Sequence, residues 1–398
     1  MTSVPFIDLT FESSIIRKKL ESRFKTILDN NDFVLGREVK EFEEKACKFL
    51  DTPYALACAS GSDALLLALM AFDIKTPHSV ITTSFSFFAT AGSILRCGAN
   101  PIFLDIEPDT LDLSINRLVQ FLESNCIREG ETTLLKKART PVSACLPVHI
   151  FGRGMNMEPL MHIVREWNLL VIEDAAQAFS SKCKFANGTM KNCGTIGNAG
   201  CYSFYPTKNL GAMGDAGLVV TGDEKIYKKM LALRNHGMAP RNYHHFFGTN
   251  SRMDSFQGAV LNLKLKFLQD WDEKRKTNAA IYFKNLKNTA AVKDGFLRLL
   301  PEATFPEAHC YHQFVVLCKK RDELKNYLME KGIGTAIFYP LSIPMQPCFE
   351  SHNFKESDFP TSIKTTQECL ALPIGPGLNE SQIRYVCDEI VEFYKKLM

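Results

Sequence analysis

Leu169-Leu170-Val171-Ile172-Glu173-Asp174 is an apolar run of strand length that closes on two acids. Downstream lies Ser203-Phe204-Tyr205-Pro206-Thr207-Lys208-Asn209-Leu210-Gly211, where a single lysine stands among aromatic and turn-forming residues. A carboxylate at the end of a buried strand and a lysine beyond it are the two groups that pyridoxal phosphate needs. The amine condenses with the cofactor aldehyde, and the carboxylate keeps the pyridine nitrogen protonated, which makes the ring an electron sink. Lys208 is the candidate catalytic residue and Asp174 its partner. Standing alone, a lysine would read as a solvated surface charge.

Outward from this pair, apolar runs of strand length alternate with helical ones. Tyr54-Ala55-Leu56-Ala57-Cys58 leads into Ser60-Gly61-Ser62 and a predicted helix from Asp63 to Phe72. Val80-Ile81-Thr82-Thr83 leads to a helix near Ala89 to Arg96, and Pro101 to Asp105 reads as the next strand. Val142 to Phe151, a helix around Met157 to Trp167, and Leu169 to Asp174 continue the series. This alternation predicts an α/β fold with a mostly parallel sheet covered on both faces, whose sites gather at the C-terminal ends of the strands. Before it, residues 12 to 50 carry a helical period broken at Gly36. Residues 123 to 140 read as a solvated helix end and loop. A long amphipathic helix is predicted from Leu261 to Lys276, followed by Phe314 to Leu317 as a strand, Glu323 to Lys331 as a helix and Ile337-Phe338-Tyr339 as a short strand.

At 398 residues, with 45% hydrophobic and 23% charged, the chain can bury a large core and divide into two or three domains. A net charge of +3 with both signs interspersed leaves no basic stripe for nucleic acid. The thirteen cysteines show no C-x-x-C or Cys/His ligand spacing, which argues against zinc and against a disulfide framework and for reduced thiols in a cytoplasm. The N-terminus, from Met1-Thr2-Ser3 to Asp8, lacks a signal-peptide pattern, and no apolar run reaches the ~18 residues of a membrane span.

Gly200-Cys201-Tyr202-Ser203 through Lys208 to Gly214-Asp215-Ala216-Gly217, together with Val171-Ile172-Glu173-Asp174-Ala175-Ala176-Gln177-Ala178, resembles the DegT/DnrJ/EryC1/StrS family of sugar aminotransferases. Further matches follow in order at Phe42-Glu43, Ser60 to Leu65, Ser86-Phe87-Phe88-Ala89-Thr90, Val148 to Gly152, Arg234-Asn235-His236-Gly237, Gly248 to Asp254 and Tyr339-Pro340, so the likeness covers nearly the whole chain. It implies a fold-type I pyridoxal phosphate transferase. Residues 1–262 would form a large domain around a mostly parallel seven-stranded sheet, and residues 263–398 a small α+β domain.

The resemblance also assigns roles. Backbone N–H groups of Ser62 and Asp63, where a strand hands over to a helix, and the Ser203 hydroxyl would hold the cofactor phosphate, although Ser60-Gly61-Ser62-Asp63 by itself reads as a helix cap. Phe87 would lie against the pyridine ring, Asp174 would pair with its nitrogen, and Gln177 would bond its phenolic oxygen. Asn250 would reach the phosphate of a neighbouring subunit, giving a homodimer with shared sites. Arg252 and Tyr339 would face substrate, a nucleotide-linked keto sugar, with L-glutamate as amino donor. Asn250-Ser251-Arg252 with Gly214 to Gly217 matches members acting at the sugar 3-position, where a small Ser251 leaves room and Arg252 supplies a bidentate anchor. Pro344 stands where the family usually carries histidine, and Ala216 where it often has glycine. A dehydratase offshoot carries histidine at the Lys208 position, so the lysine argues against that activity. A cofactor-binding regulatory protein is the non-enzymatic alternative, and no appended DNA-binding segment supports it.

Overall fold

The computed structural model describes residues 3 to 397; Met1 and Thr2, which open the N-terminal stretch read above, and Met398 lie outside the described residues. The strands are β1 Tyr54–Cys58, β2 Ser79–Thr83, β3 Asn100–Leu104, β4 Cys126–Glu129, β5 Thr132–Leu135, β6 Val142–Leu146, β7 Leu170–Asp174, β8 Lys182–Lys184, β9 Met190–Asn192, β10 Ala199–Ser203, β11 Gly217–Thr221, β12 Leu297–Leu299, β13 Phe314–Cys318 and β14 Cys369–Leu372. The α-helices are α1 Thr10–Asn30, α2 Arg37–Leu50, α3 Gly61–Ala71, α4 Ala89–Arg96, α5 Ile115–Asn125, α6 Met157–Glu166, α7 Glu224–Leu233, α8 Ser255–Lys264, α9 Leu268–Leu286, α10 Ala290–Lys293, α11 Arg321–Glu330, α12 Pro360–Glu368 and α13 Glu380–Lys395. None of the described helices is long and apolar enough to cross a membrane.

Seven strands form the main sheet in the order β1-β11-β10-β7-β6-β2-β3. Only β11 runs against its neighbours; the other pairs are parallel. The strands are apolar nearly throughout because both faces are covered. One face carries a core that includes Phe42, Leu50, Leu118, Leu160 and Phe204, and the other a core with Leu65, Leu69, Ile94 and Leu233. With six strands aligned, the C-terminal ends of β1, β2, β7 and β10 share one edge of the sheet. Ser60-Gly61-Ser62, Phe87, Asp174 and Ser203 leave the sheet along that edge, each within a few residues of a strand end.

The antiparallel sheet β12-β13-β14 packs with α9, α11 and α13 around Tyr282, Phe314, Leu324 and Ile390. It meets the edge of the main sheet through Phe85, Phe151, Val315 and Leu317, with Tyr339 packed alongside. Asp105, just past β3, caps the start of α12, accepting from Thr361 N (2.8 Å), Ser362 N (2.9 Å) and Ser362 Oγ (2.7 Å). This carboxylate ties the C-terminal elements to the strand ends.

Three local expectations are corrected. Leu261 to Lys276 is not one helix: α8 ends at Lys264, and α9 starts at Leu268. Gly258 lets α8 lie against the backbone of α2, where an added Cβ would come within 2.9 Å of Glu38, whereas α9 turns away to pack with α13. Residues 126–135, read as solvated loop, form the hairpin β4–β5 around Gly130, pinned by the buried Thr133 hydroxyl on the Trp167 carbonyl. Ile337-Phe338-Tyr339 makes no strand; one bridge at Ala336 to Ala371 precedes it.

Candidate active site

Lys208 lies in the loop between β10 and β11. Its N–H closes a turn on the Tyr205 carbonyl at 2.8 Å, and an added Cβ at Gly211 would stand 2.2 Å from the Pro206 carbonyl oxygen, so only glycine lets the loop fold this tightly. Lys208 is half-buried as a residue. Burial pushes the amine down to about 8, against the opposing pull of the Asp174 carboxylate.

Asp174 ends β7 and is only 5% exposed. Thr90 Oγ1 donates to its Oδ2 at 2.7 Å and Ala176 N to its Oδ1 at 3.1 Å. Burial raises its pKa, against the opposing pulls of the Thr90 and Ala176 hydrogen bonds and of the Lys208 and His149 charges. The preceding Glu173 points to the other face of the strand and has a different task. Its oxygens accept from Gly194 N (2.8 Å), Ile196 N (2.7 Å) and Gly197 N (2.6 Å), and His149 Nε2 donates to Oε2 at 2.9 Å. The Met155 N–H donates to His149 Nδ1 at 3.1 Å, so both ring nitrogens are engaged. Cys183 and Cys193 lie beside that ring, with ligand atoms of all three within 4.8 Å, yet the imidazole has no lone pair left for a metal.

The stretch expected to hold a phosphate is helical from Gly61. The Asp63 N–H, expected to face a phosphate, donates to Ser60 Oγ at 3.1 Å, and the Asp63 carboxylate meets Arg96 at 3.4 Å. Among the described residues this leaves the Gly61 and Ser62 N–H groups as the free donors of the first turn. A Cβ at Gly61 would lie 2.6 Å from Ser203 Cβ, so the glycine is what lets the helix start and the end of β10 form one cradle.

Phe87 is 58% exposed and offers an open aromatic face; its ring centroid is 6.2 Å from that of Tyr339. Gln177 uses its amide on the protein: Phe151 N donates to Oε1 at 2.6 Å, and Nε2 donates to the Tyr339 hydroxyl at 2.9 Å, leaving one N–H for the bond expected of it. Asn250 is exposed, and Arg252 donates to Asn235 Oδ1 at 3.3 Å. Ser251 does not line an open pocket. It is fully buried, and its Oγ accepts from Ala59 N at 3.4 Å, so its small size serves the loop and not a substrate. Pro344 is buried in the 3-10 turn Ile343–Met345, whose N-terminal position needs no N–H.

Several residues went unread in the sequence. Thr90, in the first turn of α4 just after Phe87, orients Asp174. Asn209 locks the loop next to Lys208: its Nδ2 donates to Asp272 Oδ1 (2.8 Å) and to the Cys310 carbonyl (2.9 Å), and its Oδ1 lies 3.2 Å from His312 Nδ1. Burial raises Asp272 to about 6 and drives His312 well below its ordinary range, with the Lys208 charge adding to the latter. Adjacency to Lys208 was a signal for Asn209; Asp272, in a helix dense with charge, had none.

Lysine, buried carboxylate, glycine cradle and aromatic face thus converge on one sheet edge, and the sequence profile of the DegT/DnrJ/EryC1/StrS aminotransferase family matches residues 14–391. The chain belongs to this family. As a DegT/DnrJ/EryC1/StrS aminotransferase it is 37% identical over 393 residues to a Geobacillus stearothermophilus protein named pleiotropic regulatory protein, covering 99% of both chains. It is 33% identical over 390 residues to the UDP-N-acetyl-3-dehydro-α-D-glucosamine 3-aminotransferase of Acidithiobacillus ferrooxidans, covering 98% of this chain and 97% of the relative. The crystal structure of DesV from S. venezuelae, in complex with a ketimine intermediate, superposes with a TM-score of 0.88 at 31% identity and 99% coverage of each chain.

Proposed function

We propose that this aminotransferase moves an amino group from L-glutamate to a nucleotide-linked 3-keto sugar, using pyridoxal phosphate at Lys208. The observation that carries the reading is the pairing of a buried Asp174, whose pKa burial raises, with an amine lowered to about 8. The residues present fit the cofactor: a protonated pyridine nitrogen would give the buried Asp174 carboxylate a direct ion-pair partner, and the helix start at Gly61, which only a glycine lets lie against Ser203, leaves the Gly61 and Ser62 N–H groups for a phosphate. When bound, the cofactor supplies the electron sink that lets a proton leave the donor's α-carbon.

The chain's own groups divide the remaining work. Ser62 N–H and Ser203 Oγ hold the phosphate, and Asp174, oriented by Thr90, fixes the ring nitrogen. Phe87 covers one ring face, and Gln177 is steadied by Phe151 N and Tyr339. Lys208 Nζ carries the proton between the donor's α-carbon and the cofactor. It suits both directions because an amine near 8 both accepts and releases a proton at neutral pH. Asn250 completes the partner's site in a homodimer; its exposure, and that of the nearby Tyr243, Phe246 and Phe247, supports a face covered by a second copy.

The 3-position rests on the Acidithiobacillus ferrooxidans relative, whose name places its chemistry there, and on the Asn250-Ser251-Arg252 pattern; with Ser251 buried, Arg252 is the member of that pattern left to meet substrate. The test offers matched 3-keto and 4-keto nucleotide sugars with L-glutamate and locates the new amine by NMR. Amination of the 3-keto compound is expected. Turnover of the 4-keto compound alone overturns the regiochemistry, and turnover only with another amino acid overturns the donor.

A further inference from the structure

Cys183 in β8 and Cys193, one residue past β9, bring their sulfurs to 3.6 Å in the hairpin that the two strands form. Both are free thiols and both are buried, Cys183 at 5% exposure and Cys193 at 0%. The Cys183 thiol donates to the Met155 carbonyl at 3.1 Å, so its lone pairs are left for Cys193, whose thiol donates to it. His149 beside them spends one ring nitrogen on Glu173 and the other on the Met155 N–H, so a shared metal is not what draws the two sulfurs together. The sulfurs differ in access. Cys183 lines a surface cavity of about 780 Å³ together with Gly154, Met155 and Phe185, and Cys193 lies behind it. Gly154 screens the pair with backbone alone, since an added Cβ there would stand 3.1 Å from each sulfur.

We propose that Cys183 and Cys193 are a peroxide-sensitive dithiol, in which Cys183 is oxidised from the cavity and Cys193 closes a disulfide with it. Hydrogen peroxide is the oxidant this wall admits, being small enough to pass where a glycine stands and a side chain would crowd both sulfurs. In the first step Cys183 Sγ attacks one peroxide oxygen and the O–O bond breaks. The sulfur becomes a sulfenic acid, and the thiol proton leaves with the released hydroxide as water. In the second step Cys193 Sγ attacks Cys183 Sγ, the S–O bond breaks, and the Cys193 proton leaves with that hydroxide as a second water. Two thiols are thus oxidised to one disulfide while one peroxide is reduced to two waters. The sulfurs have to close from 3.6 Å to the ~2.05 Å of the bond, a movement on the scale of a small side-chain rotation. Because the second thiol is already in contact, the sulfenic acid is consumed before another peroxide reaches it, and the irreversible sulfinic step is avoided.

The test exposes the reduced holoenzyme to graded hydrogen peroxide, quenches in acid, alkylates the remaining thiols with N-ethylmaleimide in denaturant and maps every cysteine by mass spectrometry. Wild type is expected to lose alkylation at Cys183 and Cys193 together, to yield peptides joined by a Cys183–Cys193 bond, and to regain both sites after dithiothreitol. The exposed Cys348 reports the peroxide dose within the same chain. Full alkylation of Cys183 and Cys193 at a dose that oxidises Cys348 overturns the proposal, as does a disulfide from either one to a different cysteine. The order of the two steps is read with dimedone, which traps sulfenic acid. Cys193→Ser is expected to accumulate the adduct on Cys183 and, at higher dose, sulfinic acid there, whereas Cys183→Ser is expected to keep Cys193 reduced. Dimedone on Cys193 in the Cys183→Ser protein overturns Cys183 as the attacking thiol. An unmodified Cys183 in the Cys193→Ser protein overturns the sulfenic step. Should either variant fail to fold, the wild-type map decides alone.

Discussion

The enclosed Lys208 amine makes a prediction that runs against intuition when its neighbour Asp174 is removed. A fall from 10.5 to about 8 raises the neutral fraction at pH 7 from about one in 3,000 to about one in ten, a gain of about 300-fold, equivalent to about 3 kcal/mol at 1.36 kcal/mol per tenfold. Burial is the larger cause, and Asp174 opposes it. In the cofactor-free protein the Asp174→Asn change should therefore move the Lys208 midpoint further below 8 and speed its reaction with an amine reagent at pH 7, even as it abolishes turnover. The assay is trace acetylation from pH 6 to 11, with the Lys208 peptide quantified by mass spectrometry against exposed lysines of the same chain. Wild-type labelling is expected to rise with a midpoint near 8, two units or so before the exposed lysines. The linked stability has a definite sign: the unfolded chain binds the extra proton between pH 8 and 10.5, so the cost of burying this amine is full below 8 and is relieved as pH rises through that window. A Lys208 midpoint at or above 10 would refute the enclosure argument. Slower or unchanged labelling in Asp174→Asn would show that the two groups do not sense each other.

The Asn209→Ala change deletes the donor to Asp272 and to the Cys310 carbonyl, leaving buried acceptors unpaired, and is expected to cost about 1–3 kcal/mol together with a fall in kcat; a denaturation midpoint equal to wild type would mean that this side chain does not hold the Lys208 loop. If Asn250 completes the partner's site, inactive Lys208→Ala and Asn250→Ala subunits should regain activity on mixing, in about a quarter of the sites at equal amounts of freely exchanging dimer; no recovery while mass spectrometry shows exchange would count against a shared site.

The βα alternation from Tyr54 to Asp174 was readable because strands buried on both faces are written as unbroken apolar runs, and helices beside them by the 3.6-residue period. Lys208 and Asp174 were readable for the same reason: each stands at or beyond the end of such a strand, where the chain must turn and where parallel sheets build their sites. The hairpin at Cys126–Leu135 was not, since its strands expose charge and only Cys126 and Thr133 are held inside, so no period separated it from loop. The split of Leu261–Lys276 into two helices was equally silent, because the pattern of each half is helical and what divides them is the close approach of α8 to α2.

Within the site, residue type and local order determined which groups carry the chemistry, while the fold decided what those groups are free to do. Ser60 claims the Asp63 N–H, Ala59 claims the Ser251 hydroxyl, and Phe151 with Tyr339 claims most of the Gln177 amide. Thr90 and Asp272 enter only in three dimensions. Burial and hydrogen-bond partnership are properties of contacts between segments far apart in the chain, and they set the lowered pKa of Lys208 and the raised pKa of Asp174, neither of which a one-dimensional pattern encodes.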